Sequence, residues 1–141
     1  MRIENGIMIS DTHGFKLDRI YFFTVAKTNG LYRLTCNVDI VNVELGACED
    51  KKMAIECLNR YERKLKEAGF TNFARVGNEL FNMDKVKEMQ YQKIGNDHYI
   101  KIDFDEFEGY RHKKNKDFAD RLIDQYYTQY NQYIDTNEQK V

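Results

Sequence analysis

Between Tyr110 and Lys116 the chain gathers five cationic or titratable side chains, Arg111, His112, Lys113, Lys114 and Lys116. Cations placed just before a helix amino terminus add to the free amide groups and the dipole of that terminus, and the combination favours an anion such as phosphate. Tyr110 supplies a ring on which a base can stack, and Phe81 supplies another. Arg33 and Arg75 carry guanidinium forks suited to paired contacts with phosphate oxygens. Arg111, His112, Lys113, Tyr110, Arg33, Arg75 and Phe81 are therefore the expected binding set for a small anionic, nucleotide-type ligand. The plainer alternative is a solvated basic loop that balances Asp103, Asp105, Glu106 and Glu108.

A second stretch with possible chemistry is Ile9-Ser10-Asp11-Thr12-His13-Gly14. It resembles the first metal-binding motif of the calcineurin-like metallophosphoesterases. That resemblance implies that Asp11 and His13 leave a first strand and hold one ion of a two-metal centre, which activates water for an in-line displacement. The family pattern continues with a Gly-Asp segment, a Gly-Asn-His-Asp/Glu segment and two later histidines. Here only Gly95-Asn96-Asp97-His98, in a different order, and a lone His112 follow, and three histidines in all leave the ligand set incomplete. The glycine and small polar residues equally suit a strand-to-turn exit. The expectation is a turn with no bound metal, and a compact metal-dependent phosphoesterase is the alternative from the enzyme class.

Tyrosines at 126, 127, 130 and 133 are more than one buried helix face absorbs. Tyrosine presents an apolar body with a polar tip, which suits a partner surface. Tyr127 and Tyr133 are the expected interface residues, either between copies in a homo-oligomer or against a host protein that the helix masks. The acidic run Asp103, Asp105, Glu106, Glu108 lacks the glycine and glutamate spacing of a calcium loop. Nor does the chain carry a Gly-rich phosphate loop, a dinucleotide fingerprint or a Ser-His-Asp order, and no cofactor is expected.

The composition narrows the class. With 141 residues the chain has the size of one domain and buries roughly two-thirds of its unfolded surface. A net charge of −1 supplies no field for collecting a long nucleic acid. No apolar run is long enough for a bilayer, and Met1 to Gly6 carries an acid and a turn where a signal peptide needs an apolar core, so a cytoplasmic address is expected. Cys36, Cys48 and Cys57 match neither a disulfide framework nor a zinc ribbon and read as buried thiols. The absence of Pro and Trp beside abundant Lys, Asn, Ile, Tyr and Phe follows AT-rich codons, pointing to a low-GC bacterium or one of its phages.

The elements that would position these residues follow from periodicity. Asn5-Gly6 and Asn29-Gly30 mark tight turns, the second between Arg19 to Ala26 and a returning strand from Leu31 to Leu45. That returning strand changes phase near Ile40 and Val41, where a bulge or bend is expected. Asp50 caps a helix from Lys51 to Ala68 with an apolar stripe at Ala54, Cys57, Leu58, Tyr61, Leu65 and Ala68, and Gly69 with Phe70 suits a Schellman ending. A small hairpin turns at Gly77-Asn78, a longer one at Gly95-Asn96-Asp97, and in its second strand Ile100, Ile102 and Phe104 face in while Lys101, Asp103 and Asp105 face out. A short strand from Tyr110 to His112 and a helix from Asn115 or Asp117 to Ile134 complete the pattern. The expected fold is α+β: one domain over 1–134 with a fraying tail at 135–141. It would be an antiparallel sheet of two hairpin-plus-helix units, 19–68 and 86–134, with two principal helices packed on it. The expected function is non-enzymatic and stoichiometric, a counter-defence sponge of phage or mobile-element type that sequesters the nucleotide-type ligand.

Overall fold

The computed structural model describes residues 2–10 and 13–105, the backbone of 110–114, and positions 116–117, 120–121, 123–125, 127–128 and 131–132. The chain divides into two compact units, Met1–Asn82 and Met83–Val141.

The first unit opens with a three-stranded antiparallel sheet of β1 (Arg2–Glu4), β2 (Ile7–Ile9) and β3 (Gly14–Lys16). Asn5 and Gly6, at φ 52° and 73°, make the tight turn between the first two strands. A 3-10 turn over Leu17–Arg19 then leads into β4 (Ile20–Thr28). Four consecutive residues of β4, Ile20 to Phe23, are buried, which is the signature of a strand covered on both faces. It sits at the centre of a five-stranded antiparallel sheet ordered β6-β5-β4-β8-β7, made with β5 (Leu31–Val38), β6 (Val41–Cys48), β7 (Phe73–Val76) and β8 (Glu79–Asn82).

One helix, α1 (Lys51–Glu67), covers this sheet. Its start is local chemistry: the Asp50 carboxylate accepts the Lys52 N–H at 2.9 Å. So is its end, where Gly69 at φ 89° lets the Phe70 N–H reach the Leu65 carbonyl at 2.9 Å and the Gly69 N–H reach Lys66 at 3.0 Å, the paired bonds of a Schellman motif. Ala54, Leu58, Tyr61 and Leu65 form the stripe that packs with Phe23, Val25, Leu34, Cys36, Phe73 and Leu80. The Phe23 ring lies 5.5 Å from Tyr61 and 6.1 Å from Phe73. Burying Leu58 and Leu65 completely contributes roughly 2 kcal/mol each.

The expected pair of hairpin-plus-helix units with two principal helices on one sheet is not what forms. The fold is mostly β, with one main helix and three sheets. One cause lies at Asp39 and Ile40, where a two-residue turn with φ 49° and 73° reverses the chain and splits the expected long strand into β5 and β6. The phase change at Ile40 marks this reversal and not a bulge; the bulge lies at Leu45, between the pairs Leu34↔Gly46 and Thr35↔Glu44. A left-handed conformation costs an L-residue roughly 1–2 kcal/mol, and Ile is β-branched, so the residue type gives no hint of the turn. The second cause is non-local: β8 pairs with β4 through Phe22↔Phe81 and Phe23↔Leu80, adding the small hairpin to the main sheet.

The second unit contains β9 (Val86–Ile94), β10 (Asp97–Phe104) and β11 (Tyr110–Lys114) in the order β11-β10-β9. The expected short strand at Tyr110 is thus five residues long and fully paired with β10. Met89, Ile100, Ile102 and Phe104 are buried. The described positions from 116 to 132 are helical. The expected tail at 135–141 lies outside the described residues. No helix among the described residues is long and apolar enough to cross a membrane.

Candidate functional site

The site is built by strand alternation in the β11-β10-β9 sheet. Because side chains on a strand alternate between faces and directly opposed residues share a face, each register pair extends a row across the sheet. One set contains Met89↔Ile102 and Tyr91↔Ile100, with Ile100 and Ile102 buried. In this set the Tyr91 hydroxyl and His98 Nδ1 are hydrogen-bonded, their rings 5.8 Å apart. The other set contains Gln92↔Tyr99, Gln90↔Lys101 and Glu88↔Asp103, and all but the buried Asp103 are at least half-buried or exposed.

The pairing of β11 continues both sets. Lys113 stands opposite Tyr99, and Arg111 opposite Lys101. One row therefore reads Gln92, Tyr99, Lys113 and the next Gln90, Lys101, Arg111. With strands about 4.8 Å apart and same-face residues about 6.7 Å apart along a strand, the two rows cover roughly 10 by 7 Å, the scale of one nucleotide. Tyr99 offers a ring, the glutamines offer amide donors and acceptors, and Lys101 offers a cation, with Arg111 and Lys113 at the adjoining register positions of β11. Within the rows, Gln90 Nε2 donates to Glu88 at 2.8 Å and Gln92 Nε2 to Gln90 at 3.4 Å. Gln92 Oε1 is buried and has no protein donor among the described residues, so it is an acceptor still to be satisfied. Lys101 lies 3.6 Å from Asp103, which offsets part of its charge.

The same alternation separates His112 from Arg111 and Lys113, since His112 pairs with Ile100 and Tyr110 with Ile102. The expected run of adjacent cations is thus divided between two sets of positions. The remaining expected residues, Phe81, Arg75 and Arg33, belong to the first unit. Phe81 is 1% exposed and its ring lies 6.3 Å from that of Phe22, so it offers no open face to a base. Arg75 reaches α1, where its Nη1 donates to Asn59 at 2.7 Å and to Glu62 at 3.1 Å. Arg33 pairs with Glu44 on β6 and donates from Nε to the Thr28 carbonyl at 3.2 Å. Arg75 is opposite Leu80, which is opposite Phe23 on the helix-covered face; Arg33 is opposite Ala26, on the alternate set of β4. The two guanidinium groups consequently project from opposite faces of one sheet and do not converge.

Tyr127 is 48% exposed on the helical stretch, and Tyr133 lies outside the described residues. So does Asp11. His13 is in the β2–β3 connection, where the Ser10 N–H donates to the His13 carbonyl at 2.8 Å and the His13 N–H to Ser10 Oγ at 3.0 Å. Its ring stacks at 5.6 Å on Phe15. Among the described residues no three His, Cys, Asp or Glu side chains group as metal ligands do.

Tyr99, Lys101, Gln90 and Gln92 are the residues that a reading by local clusters misses. Alternation already marks Lys101 as outward, but its row partners depend on the register with β9 and β11. No known family, curated protein or solved structure matches this chain.

Proposed function

We propose that the protein is a non-enzymatic, stoichiometric binder of a small anionic, nucleotide-type ligand, held on the Gln90, Gln92, Tyr99, Lys101, Arg111 and Lys113 rows. One observation carries this reading: the register that sets Arg111 and Lys113 opposite Lys101 and Tyr99. A base stacks on Tyr99, its edge meets the glutamine amides, and its phosphate meets the cations; stacking on one aromatic side chain is worth about 1–3 kcal/mol. The function is sequestration, as expected of a phage or mobile-element product that removes a host signal. A cytoplasmic address belongs to the proposal and accords with the free thiols of Cys36, Cys48 and Cys57.

Titration calorimetry against mononucleotides, cyclic nucleotides and ADP-ribose derivatives tests it. Stoichiometric binding is expected, and Arg111→Glu with Lys113→Glu should weaken it at least about tenfold, roughly 1.4 kcal/mol, at modest salt. No binding by any of these ligands, or binding indifferent to the double substitution, would overturn the proposal. The exposure of Tyr127 supports a second reading, masking of a host protein, which predicts a pull-down that Tyr127→Glu abolishes.

A further inference from the structure

Strand β6 ends its sheet, so one edge of its backbone has no strand partner among the described residues. Edge strands that remain monomeric are commonly guarded by charge, proline or a bulge. Here the stretch from Val41 to Glu44 contains one charged residue, Glu44, whose charge is already met by Arg33. The bulge at Leu45 leaves those four residues regular. Val41 is 61% exposed, the largest value for a big apolar residue among those described, and Ile40 beside it is 54% exposed.

The turn that presents them is held in place. Asp39 Oδ2 accepts from Arg19 Nη1 at 2.7 Å, and the Asp39 N–H donates to the Arg19 carbonyl at 3.1 Å. The turns at Asn5-Gly6 and Asn29-Gly30 use residues that tolerate positive φ, but this one keeps a β-branched, exposed Ile40 at φ 73°. A strained apolar residue facing solvent gains nothing for the monomer. Strain of this kind persists where something else requires the residue.

We propose that β6 pairs antiparallel with β6 of a second copy of this chain, about a two-fold axis through Val43. The register follows from the backbone. In a two-residue hairpin the residues flanking the turn, Val38 and Val41, exchange their backbone bonds, so Val43 bonds inward as well. The N–H and C=O groups of Asn42 and Glu44 therefore point out of the sheet. A two-fold axis normal to the sheet keeps each face with itself, which allows only registers that match residues of like parity. With the axis at Val43, Asn42 meets Glu44 of the second copy twice, making four backbone hydrogen bonds. Moving it to Asn42 leaves only the Asn42 pair, because the next position outward is Ile40 in the turn.

The side chains agree with that register. Val43 meets its own copy at the close, non-bonded pair, and Val41 meets Leu45 of the second copy. On the opposite face Asn42, whose Oδ1 is taken by Asn37 at 3.0 Å, has its amide N–H₂ to donate to Glu44 of the second copy. No like charges stand opposite one another. An edge that is self-complementary in sequence, face and bonding parity fits a second copy better than an unrelated strand.

Amide hydrogen exchange read with sedimentation over a concentration series tests the pairing in the full chain. A dimer is expected, with the Asn42 and Glu44 amides gaining protection as concentration rises and the Val41 and Val43 amides unchanged. Val41→Lys acts twice across the axis, so the dissociation constant should rise about a hundredfold if each site loses a factor of ten. Ile40→Gly should weaken the dimer while leaving the dilute protein at least as heat-stable as the parent, since it relieves the strained turn. A chain that stays monomeric at high micromolar concentration would refute the proposal. So would a dimer whose Asn42 and Glu44 amides show no concentration dependence, or one that both substitutions leave intact.

Discussion

Arg75 tests whether the sheet faces have been assigned to the right roles. It was expected to grip phosphate, whereas the structure uses it to tie β7 to α1. Replacing it with Ala removes the bonds from Nε to the Gly77 carbonyl at 2.6 Å and from Nη1 to Asn59 at 2.7 Å and Glu62 at 3.1 Å. Both Arg75 and Glu62 side chains are 19% exposed, so water screens the pair only in part. Lys66 stays 3.3 Å from the other Glu62 oxygen and prevents that carboxylate from being left wholly uncompensated. Charged hydrogen bonds are worth about 1.5–3 kcal/mol when well buried; partial exposure and the remaining lysine reduce the sum, and a loss near 2 kcal/mol is expected. For a unit of this size that corresponds to a fall in Tm of roughly 10 °C by scanning calorimetry. Arg75→Lys should recover only part of it, because an ammonium cannot reproduce the fork. Nucleotide affinity should be unchanged in both variants. A Tm within a degree or two of the parent, or an affinity loss matching that of the Arg111 and Lys113 substitutions, would refute the assignment.

Two further outcomes concern the core. Asn82 is fully buried, donating to the Ile20 carbonyl at 2.8 Å and accepting from Asn72 at 2.8 Å, so Asn82→Ala should destabilise by about 2–3 kcal/mol in urea unfolding, against under 1 kcal/mol for an exposed asparagine. Burial pushes the Cys36 thiol well above its ordinary value of 9.0. Thiol titration of the folded protein should therefore modify the half-buried Cys48 and Cys57 first, with Cys36 reacting only on unfolding. Its neutral form is favoured in the fold, so its contribution to stability is fully present below pH 9.0 and declines as pH rises above that value, by about 1 kcal/mol over the first pH unit. A pH-independent urea midpoint between mild and strong alkali in the parent, equal to that of Cys36→Ala, would contradict this.

The sequence by itself determined the features whose causes are local. Asp50, the stripe from Ala54 to Leu65 and the Gly69-Phe70 ending define α1 almost to the residue, because caps and a 3.6-residue period act within a few turns of one segment. The Asn-Gly turns and the alternation of Ile100 and Ile102 with Lys101 were legible for the same reason, but Asp103, expected to face out, is 7% exposed beside a register shift at Phe104. Strand partnership was not, since it depends on contacts between distant segments. No signal in Glu79 to Asn82 announces pairing with β4, and that pairing sets Phe81 opposite Phe22. Arg33 and Arg75 are alike as residues, yet the parity of their strands sends them to opposite faces. Asp39 and Ile40 reverse the chain although an isoleucine opposes the required φ, and the reversal shows only in the pairing of β5 with β6, residue against residue across the turn. The rows of the candidate site arise in the same way: Arg111 and Lys113 stand opposite Lys101 and Tyr99 only when β11 pairs with β10, a choice of register made by tertiary structure.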